Sequence, residues 1–282
     1  MNSIDPSIHR ALNQAAKSLP SETARLDAEL LLADVLNKPR SYLYTWPEQR
    51  LSQDQYARFL IAVDQRATGE PIAYLTGHRE FWSLDLQVTP GVLIPRPETE
   101  LLVEIALKLL PEKTCKVADL GTGSGAIALA LASERPDWNI IGTDISTAAL
   151  NIARSNAKAL NLETLEFVAS HWFENLPKHN YQLIVSNPPY VANKDPRLHH
   201  GDVRFEPQIA LKSGADGLQD LRQLISGARE YLQPNGWLML EHGYDQAKPV
   251  TKLLVQAGFT STKTYHDLAQ QPRVTIGRSI PK

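Results

Sequence analysis

Val117-Ala118-Asp119-Leu120 runs without a break into Gly121-Thr122-Gly123-Ser124-Gly125, and the alanine-rich stretch 126–132 follows at once. An apolar run of strand length that feeds a glycine turn and then a helix former is the opening of a βα unit, and such units build parallel sheets. The pattern then repeats. Short apolar runs at 117–120, 140–141, 183–185 and 237–240 alternate with helical stretches at 126–134, 147–160 and 218–232. A helix carrying Leu101, Leu102, Ile105 and Leu109 leads into them, and 259–265 and 273–276 read as two closing strands. The expectation is an α/β domain around a parallel sheet, with its ligands at the carboxyl ends of the strands.

The front of the chain has a different period. Ser21-Glu22-Thr23 precedes Ala24, and Leu26, Leu30, Leu31 and Leu32 recur at helical spacing. Ser52 stands three residues before Gln55, a capping-box pattern, and opens a segment with Tyr56, Phe59, Leu60 and Val63 on one face. Residues 1 to 75 therefore read as a helical unit, and it holds no cluster of His, Cys or carboxylates at ligand spacing. From Phe81 the period becomes two: Trp82, Leu84, Leu86 and Val88 alternate with polar residues, Thr89-Pro90-Gly91 turns, and Val92-Leu93-Ile94 follows. This reads as a hairpin-like connector.

Two loops carry chemistry. The first is the glycine turn at 121–125, where glycine permits positive φ and close approach of backbone to a ligand. The next apolar strand, Ile140-Ile141-Gly142-Thr143, ends at Asp144, an acid placed to accept hydrogen bonds from both hydroxyls of a ribose. The G-x-G-x-G spacing departs from the G-x-G-x-x-G of dinucleotide enzymes. The second loop is Asn187-Pro188-Pro189-Tyr190, just past Leu183-Ile184-Val185. Its prolines stiffen the backbone and cannot donate, so their carbonyls are left to accept. Asn187 adds an amide and Tyr190 a flat ring, a combination suited to a planar, uncharged NH2 group. Asp119 is placed either near the amino group of a ligand or as support for the glycine loop, and Trp172 either stacks on an adenine or joins the core.

The D-L-G-T-G-S-G turn, Asp144 and N-P-P-Y resemble a class I S-adenosylmethionine-dependent methyltransferase acting on a planar nitrogen. Three more segments narrow the likeness: Glu70-Pro71-Ile72-Ala73-Tyr74-Leu75-Thr76-Gly77 running into Arg79-Glu80-Phe81-Trp82, then Ile94-Pro95-Arg96-Pro97-Glu98-Thr99-Glu100, then Gly201-Asp202-Val203-Arg204-Phe205-Glu206-Pro207. Together these resemble the PrmC/HemK family, which methylates the glutamine of the GGQ motif in bacterial class 1 peptide release factors. The likeness runs from about residue 22 to 278. It implies a helical domain at 1–78 that recognises the release factor, a β-hairpin linker at 79–97, and a methyltransferase domain at 98–282 with a Rossmann-like seven-stranded sheet. It also implies that Gly121, Thr122, Gly123, Ser124, Gly125, Asp144, Trp172, Asn187 and Phe81 bind S-adenosylmethionine. Asn187, Pro188, Pro189 and Tyr190 would hold the substrate glutamine. In this reading the Asn187 side-chain oxygen and the Pro188 carbonyl accept from the amide, Tyr190 stacks on it, and the amide nitrogen displaces the methyl group in line.

Other classes fit less. An N6-adenine DNA or RNA methyltransferase would use the same loop, but it needs a basic recognition region, and the formal net charge is −2. Hydride transfer with NAD leaves N-P-P-Y unexplained, and a cofactor-gated binding module has no need of the acceptors at 187–190. The single cysteine, Cys115, rules out an intrachain disulfide and reads as a small hydrophobe leading into a strand. His199 and His200 read as solvated loop residues, so no metal is expected. Residues 1–20 do not read as a signal peptide, and no stretch approaches the ~20 apolar residues of a membrane span. The expectation is a cytoplasmic protein with a protein substrate, no membrane and no direct nucleic-acid binding.

Overall fold

The computed structural model describes residues 6–110, 114–178 and 180–280, so the extreme ends of the expected first and last domains lie outside the described residues. Two compact units form. One runs to His78 and includes Gly201–Phe205; the other comprises Arg79–His200 and the chain from Glu206 onward. The expected 79–97 segment thus falls inside the second unit.

The first unit holds α1 (Ile8–Ser18), α2 (Ala24–Leu36), α3 (Arg40–Thr45), α4 (Gln53–Ala67) and α5 (Ile72–Thr76). The capping box is present: the Ser52 hydroxyl accepts from the Gln55 backbone N–H at 3.2 Å, and Gln55 Oε1 accepts from that of Ser52 at 2.9 Å. Phe59 and Val63 are buried as expected. On α2 the leucine stripe is only half right. Leu31 and Leu32 are buried, but Leu26 is 38% exposed, while Asp27 and Glu29 are inside. The charges can be buried because both are paired. Asp27 accepts from Arg66 Nε at 2.8 Å, and Glu29 accepts from Arg25 and Arg40 at 2.7 Å each and from the Tyr44 hydroxyl at 2.6 Å. In α1 the core face is made of Ile8, Ala11, Leu12 and Ala15, alanines that a search for large apolar residues passes over.

Strand β1 (His78–Phe81) begins on the last residue of the first unit and continues into the second, where β2 (Leu84–Gln87) follows. The hairpin differs from the expectation. Its turn is at Trp82-Ser83, with φ of 53° and 59°, and Val92-Leu93-Ile94 is not a strand. A two-residue loop with positive φ at both positions matches the strand twist, and the usual asparagine–glycine signal is missing here. After a 3-10 turn at Pro97–Thr99 come α6 (Glu100–Leu109), β3 (Lys116–Leu120), α7 (Ala126–Glu134), β4 (Asn139–Asp144), α8 (Thr147–Ala159), β5 (Glu166–Ala169), β6 (Tyr181–Ser186), α9 (Gln219–Tyr231), β7 (Leu232–Glu241), α10 (Ala247–Gln256), β8 (Thr260–His266) and β9 (Pro272–Arg278). Pro249, in the first turn of α10 where a missing N–H costs nothing, obscured that helix in the sequence.

Seven strands form one sheet in the order β5-β4-β3-β6-β7-β9-β8, with β9 antiparallel to both neighbours. Side chains alternate between two cores. Val117, Leu183, Val185 and Met239 enter one; Ala118, Leu120, Ile184 and Leu240 enter the other. Because β3 pairs with β4 on one side and β6 on the other, the chain order reverses there. A crevice opens at the carboxyl ends of these strands. Among the described residues no helix is long and apolar enough to cross a membrane.

Candidate active site

The loop after β3 is held open by its own backbone. Gly121, Gly123 and Gly125 take φ of 76°, 58° and 87°. The N–H groups of Gly121 and Thr122 both donate to the Thr143 carbonyl at 2.8 Å, tying the turn to the end of β4. Asp119 resolves as loop support. It is fully buried, and its Oδ2 accepts from the Thr122 hydroxyl at 2.7 Å and the Ala128 N–H at 3.2 Å. Burial pushes its carboxyl up to about 7. Asn156 of α8, not foreseen from the sequence, fastens the loop from behind by donating to the Ser124 carbonyl at 2.9 Å.

A cavity of about 260 Å³ lies against this loop, lined in part by Gly121, Gly123, Asp144, Trp172, Asn187 and Pro189. Asp144 Oδ2 accepts from the Gly123 N–H at 2.9 Å and Oδ1 from the Ser146 N–H at 2.8 Å. The Ile145 backbone also favours its charged form, which leaves the carboxylate with acceptor capacity for the cavity. Burial raises its pKa and these backbone donors oppose that rise. Trp172 sits at φ 51° with its carbonyl accepting from the Ser170 hydroxyl at 3.0 Å, and its indole N–H is buried without a partner. A Cβ added at Gly121 would come within 3.3 Å of the Trp172 ring, so glycine leaves the ring its place.

The remaining foreseen residues lie elsewhere. Thr122, Ser124 and Gly125 shape the loop from outside the cavity lining, and Phe81 is buried in the core beside Leu86, Leu102 and Val103. Pro188 is buried, and Tyr190 lines a second, smaller polar hollow that includes Arg273 and Gln246.

The N-P-P-Y loop leaves the end of β6 and is pinned beyond Tyr190. The Val191 N–H donates to the Leu211 carbonyl at 2.9 Å, and the Tyr190 carbonyl accepts from Gln246 Nε2 at 3.0 Å. Within it, Asn187 Nδ2 donates to the Thr99 hydroxyl oxygen at 3.1 Å, and the Tyr190 hydroxyl donates to Glu241 Oε1 at 3.3 Å. Burial, and then the Glu241 charge, push the Tyr190 phenol far above its usual range. Two sequence segments singled out for their likeness meet close by, where Arg96 Nη2 donates to both oxygens of Glu206 at 2.6 and 2.7 Å. Thr99 and Glu241 were missed from the sequence. Thr99 lies inside the Ile94-to-Glu100 segment, and Glu241 is an acid ending an apolar strand, the same signal that singled out Asp144.

The residues present fit S-adenosylmethionine: a glycine cradle, a carboxylate with acceptor capacity one strand over, and an indole beside both. Residues 10–77 match the model of the PrmC N-terminal domain and residues 97–203 that of the methyltransferase small domain. A methyltransferase from Pyrococcus furiosus superposes with a TM-score of 0.54 at 17% identity, covering 77% of this chain and 98% of that one. Fold and site together define a class I S-adenosylmethionine-dependent methyltransferase. The chain is 50% identical to the release factor glutamine methyltransferase of Shewanella oneidensis, over 92% of its own length and 90% of the relative's. It is 51% identical to that of Pseudomonas aeruginosa, over 92% and 94%. The chain belongs to the release factor glutamine methyltransferase family.

Proposed function

We propose that this enzyme transfers the methyl group of S-adenosylmethionine to the side-chain amide nitrogen of the GGQ glutamine in class 1 peptide release factors. The observation that carries this reading is the Asn187 amide. Its NH2 is committed to Thr99, which leaves Oδ1 as an acceptor in a cavity wall, and an acceptor is what a substrate NH2 requires.

The backbone at Gly121 and Gly123, the carboxylate of Asp144 and the Trp172 indole would hold S-adenosylmethionine. The cofactor supplies a methyl group made electrophilic by its sulfonium charge. An amide nitrogen is a poor nucleophile because its lone pair is delocalised. In this reading Asn187 Oδ1 and the Pro188 carbonyl accept its two N–H bonds, and Tyr190, which borders the second hollow rather than the cavity itself, is assigned to the amide plane. These acceptors strengthen as positive charge develops on nitrogen, so they stabilise the transition state more than the ground state. No strong base is needed, since the alkylated nitrogen is acidic and releases its proton to water. The helical unit is the region we assign to release-factor recognition, and the cytoplasm is where the enzyme meets that substrate.

The test is methyl transfer from labelled cofactor to unmodified release factor, with a GGQ-to-GGA factor and DNA as controls. Label on the factor, lost in the GGA variant and absent from DNA, is the expected result; label on DNA would establish adenine methylation instead. Asn187→Ala is expected to lower kcat by about 10³-fold with a smaller loss of cofactor affinity. A kcat near that of the wild type would remove Asn187 from the mechanism.

A further inference from the structure

Glu241 closes β7 and is buried, at 1% exposed, directly behind the N-P-P-Y loop, and nothing in the reaction above uses it. Its Oε1 accepts from the Tyr190 hydroxyl, while its Oε2 has no partner of full hydrogen-bond geometry. The Thr99 hydroxyl nonetheless favours the charged form of this carboxylate, and the same hydroxyl oxygen accepts from Asn187 Nδ2 at 3.1 Å. The cation that acts on Glu241, Arg273, is itself ion-paired with Asp267 at 2.9 Å. A buried carboxylate without its own cation is costly and is retained for a reason.

We propose that Glu241 is a positioning residue for methyl transfer: through the Thr99 hydroxyl it fixes which end of the Asn187 amide faces the substrate, and through the Tyr190 hydroxyl it holds the ring beside it. The inference rests on the glutamine reading above. Its logic is a count of donors. An ionised carboxylate only accepts, so it draws the single proton of Thr99 toward itself. The Thr99 oxygen is then left to accept, and the Asn187 NH2 must turn to it, as the 3.1 Å contact shows. Asn187 Oδ1 faces the cavity as a consequence. If position 241 could donate, Thr99 could turn its proton toward Asn187 and the amide would flip. An NH2 group would then face the substrate NH2, donor against donor.

Protonation of Glu241 has the same consequence as that substitution. Burial raises the carboxyl to about 7, with Thr99, Arg273 and Tyr190 opposing the rise and Glu98 adding to it. The free enzyme's kcat/KM is therefore expected to fall as pH drops through about 7.

Glu241→Gln keeps the shape and restores a donor. It is expected to lower kcat roughly 30-fold and to abolish the acidic limb, while the cofactor Kd moves less than about 3-fold. Thr99→Val should do the same, and Thr99→Ser should stay within about 3-fold of wild type. Combining Glu241→Gln with Thr99→Val should cost less than about 3-fold more than either alone, because both break one chain of contacts. Independently of turnover, the side-chain amide of Asn187 followed by 15N NMR should titrate with a midpoint near 7 in the wild type and lose that step in Thr99→Val. Losses that multiply, a wild-type acidic limb surviving in Glu241→Gln, or an Asn187 amide blind to pH would each overturn the assignment. Should Glu241→Gln not fold, Thr99→Val and the wild-type titration decide the matter. If the wild type leaves the release-factor glutamine unlabelled, the substrate reading fails by itself, and the amide titration alone decides for or against the relay.

Discussion

The helical unit pairs each of its buried carboxylates, Asp27 and Glu29, with arginine. The α/β unit does the same for Glu206 with Arg96 and Asp267 with Arg273, but it also buries two carboxylates that have no arginine hydrogen bond. In the first, Glu29 accepts from two arginines and a tyrosine, and its carboxyl is held down to about 2 despite the burial that opposes this. Asp27 is matched by Arg66. In the second, Asp119 and Glu241 are fully buried with hydroxyl and backbone partners only, and burial pushes each up to about 7. The first arrangement neutralises charge and fixes the packing of helices. The second leaves a charge poised to change near neutrality, and both of its members stand directly behind the loops that face the cavity. Buried charge is therefore a guide to where the chemistry is only when its partners are counted.

The sharpest way to break this contrast is to remove a cation from the first unit and a charge from the second. Arg66→Met strands Asp27, which is 4% exposed, and is expected to destabilise the helical unit by ~3 kcal/mol. Glu241→Gln is expected to leave the melting temperature unchanged or raised, since it removes a charge that had no cation of its own. Calorimetry of the two variants decides the point: equal losses would mean that both carboxylates are structural.

Much of this site was legible in the sequence because its signals are local. The glycine turn and Asp144 are single-strand features, and N-P-P-Y is four consecutive residues. The supporting layer was not, because it is made by residues distant in the chain: Thr99 and Asn187 are 88 positions apart, and Tyr190 and Glu241 are 51 apart. The same limit explains α2. The period of its leucines is visible, but which side faces inward depends on whether Asp27 and Glu29 find cations, and Arg66 lies 39 positions from Asp27. The hairpin turn failed for a local reason: Trp82-Ser83 takes a conformation that neither residue type announces. Phe81 was expected at the cofactor and lies in the core, since an aromatic at a strand end has no feature that separates the two roles.

A smaller effect sharpens the comparison from the ligand side. Asp144 lies between the two kinds of carboxylate, since it is half-buried at the cavity wall and receives backbone N–H donors rather than a cation. Asp144→Ala removes its acceptors for the ribose and is expected to weaken S-adenosylmethionine binding by about 2 kcal/mol, roughly 30-fold, with fold stability nearly unaffected. Calorimetric titration reads this directly, and an unchanged Kd would place the ribose elsewhere.

The smallest effect is also the most discriminating, because its sign differs between a carboxylate paired with arginine and one that is not. Glu29 has a folded pKa below its unfolded value. Its contribution is thus fully present above the unfolded pKa of ~4.3 and is lost as pH falls toward about 2. Glu241 has a folded pKa above its unfolded value, so the folded state binds the extra proton between ~4.3 and about 7, and the wild type loses stability as pH rises through that window. His242 beside it is buried neutral with a lowered pKa, so it penalises acidification and masks the trend in the wild type alone. The difference between variant and wild type removes that mask. The stability of Glu241→Gln relative to wild type should climb from pH 4.5 to pH 8, while that of Glu29→Gln should sink from pH 2 to pH 4.5 and then stay level. Denaturant melts across pH supply both curves. If the two had the same sign, the distinction between paired and poised carboxylates would be wrong, and Glu241 would have to be a structural acid like Glu29.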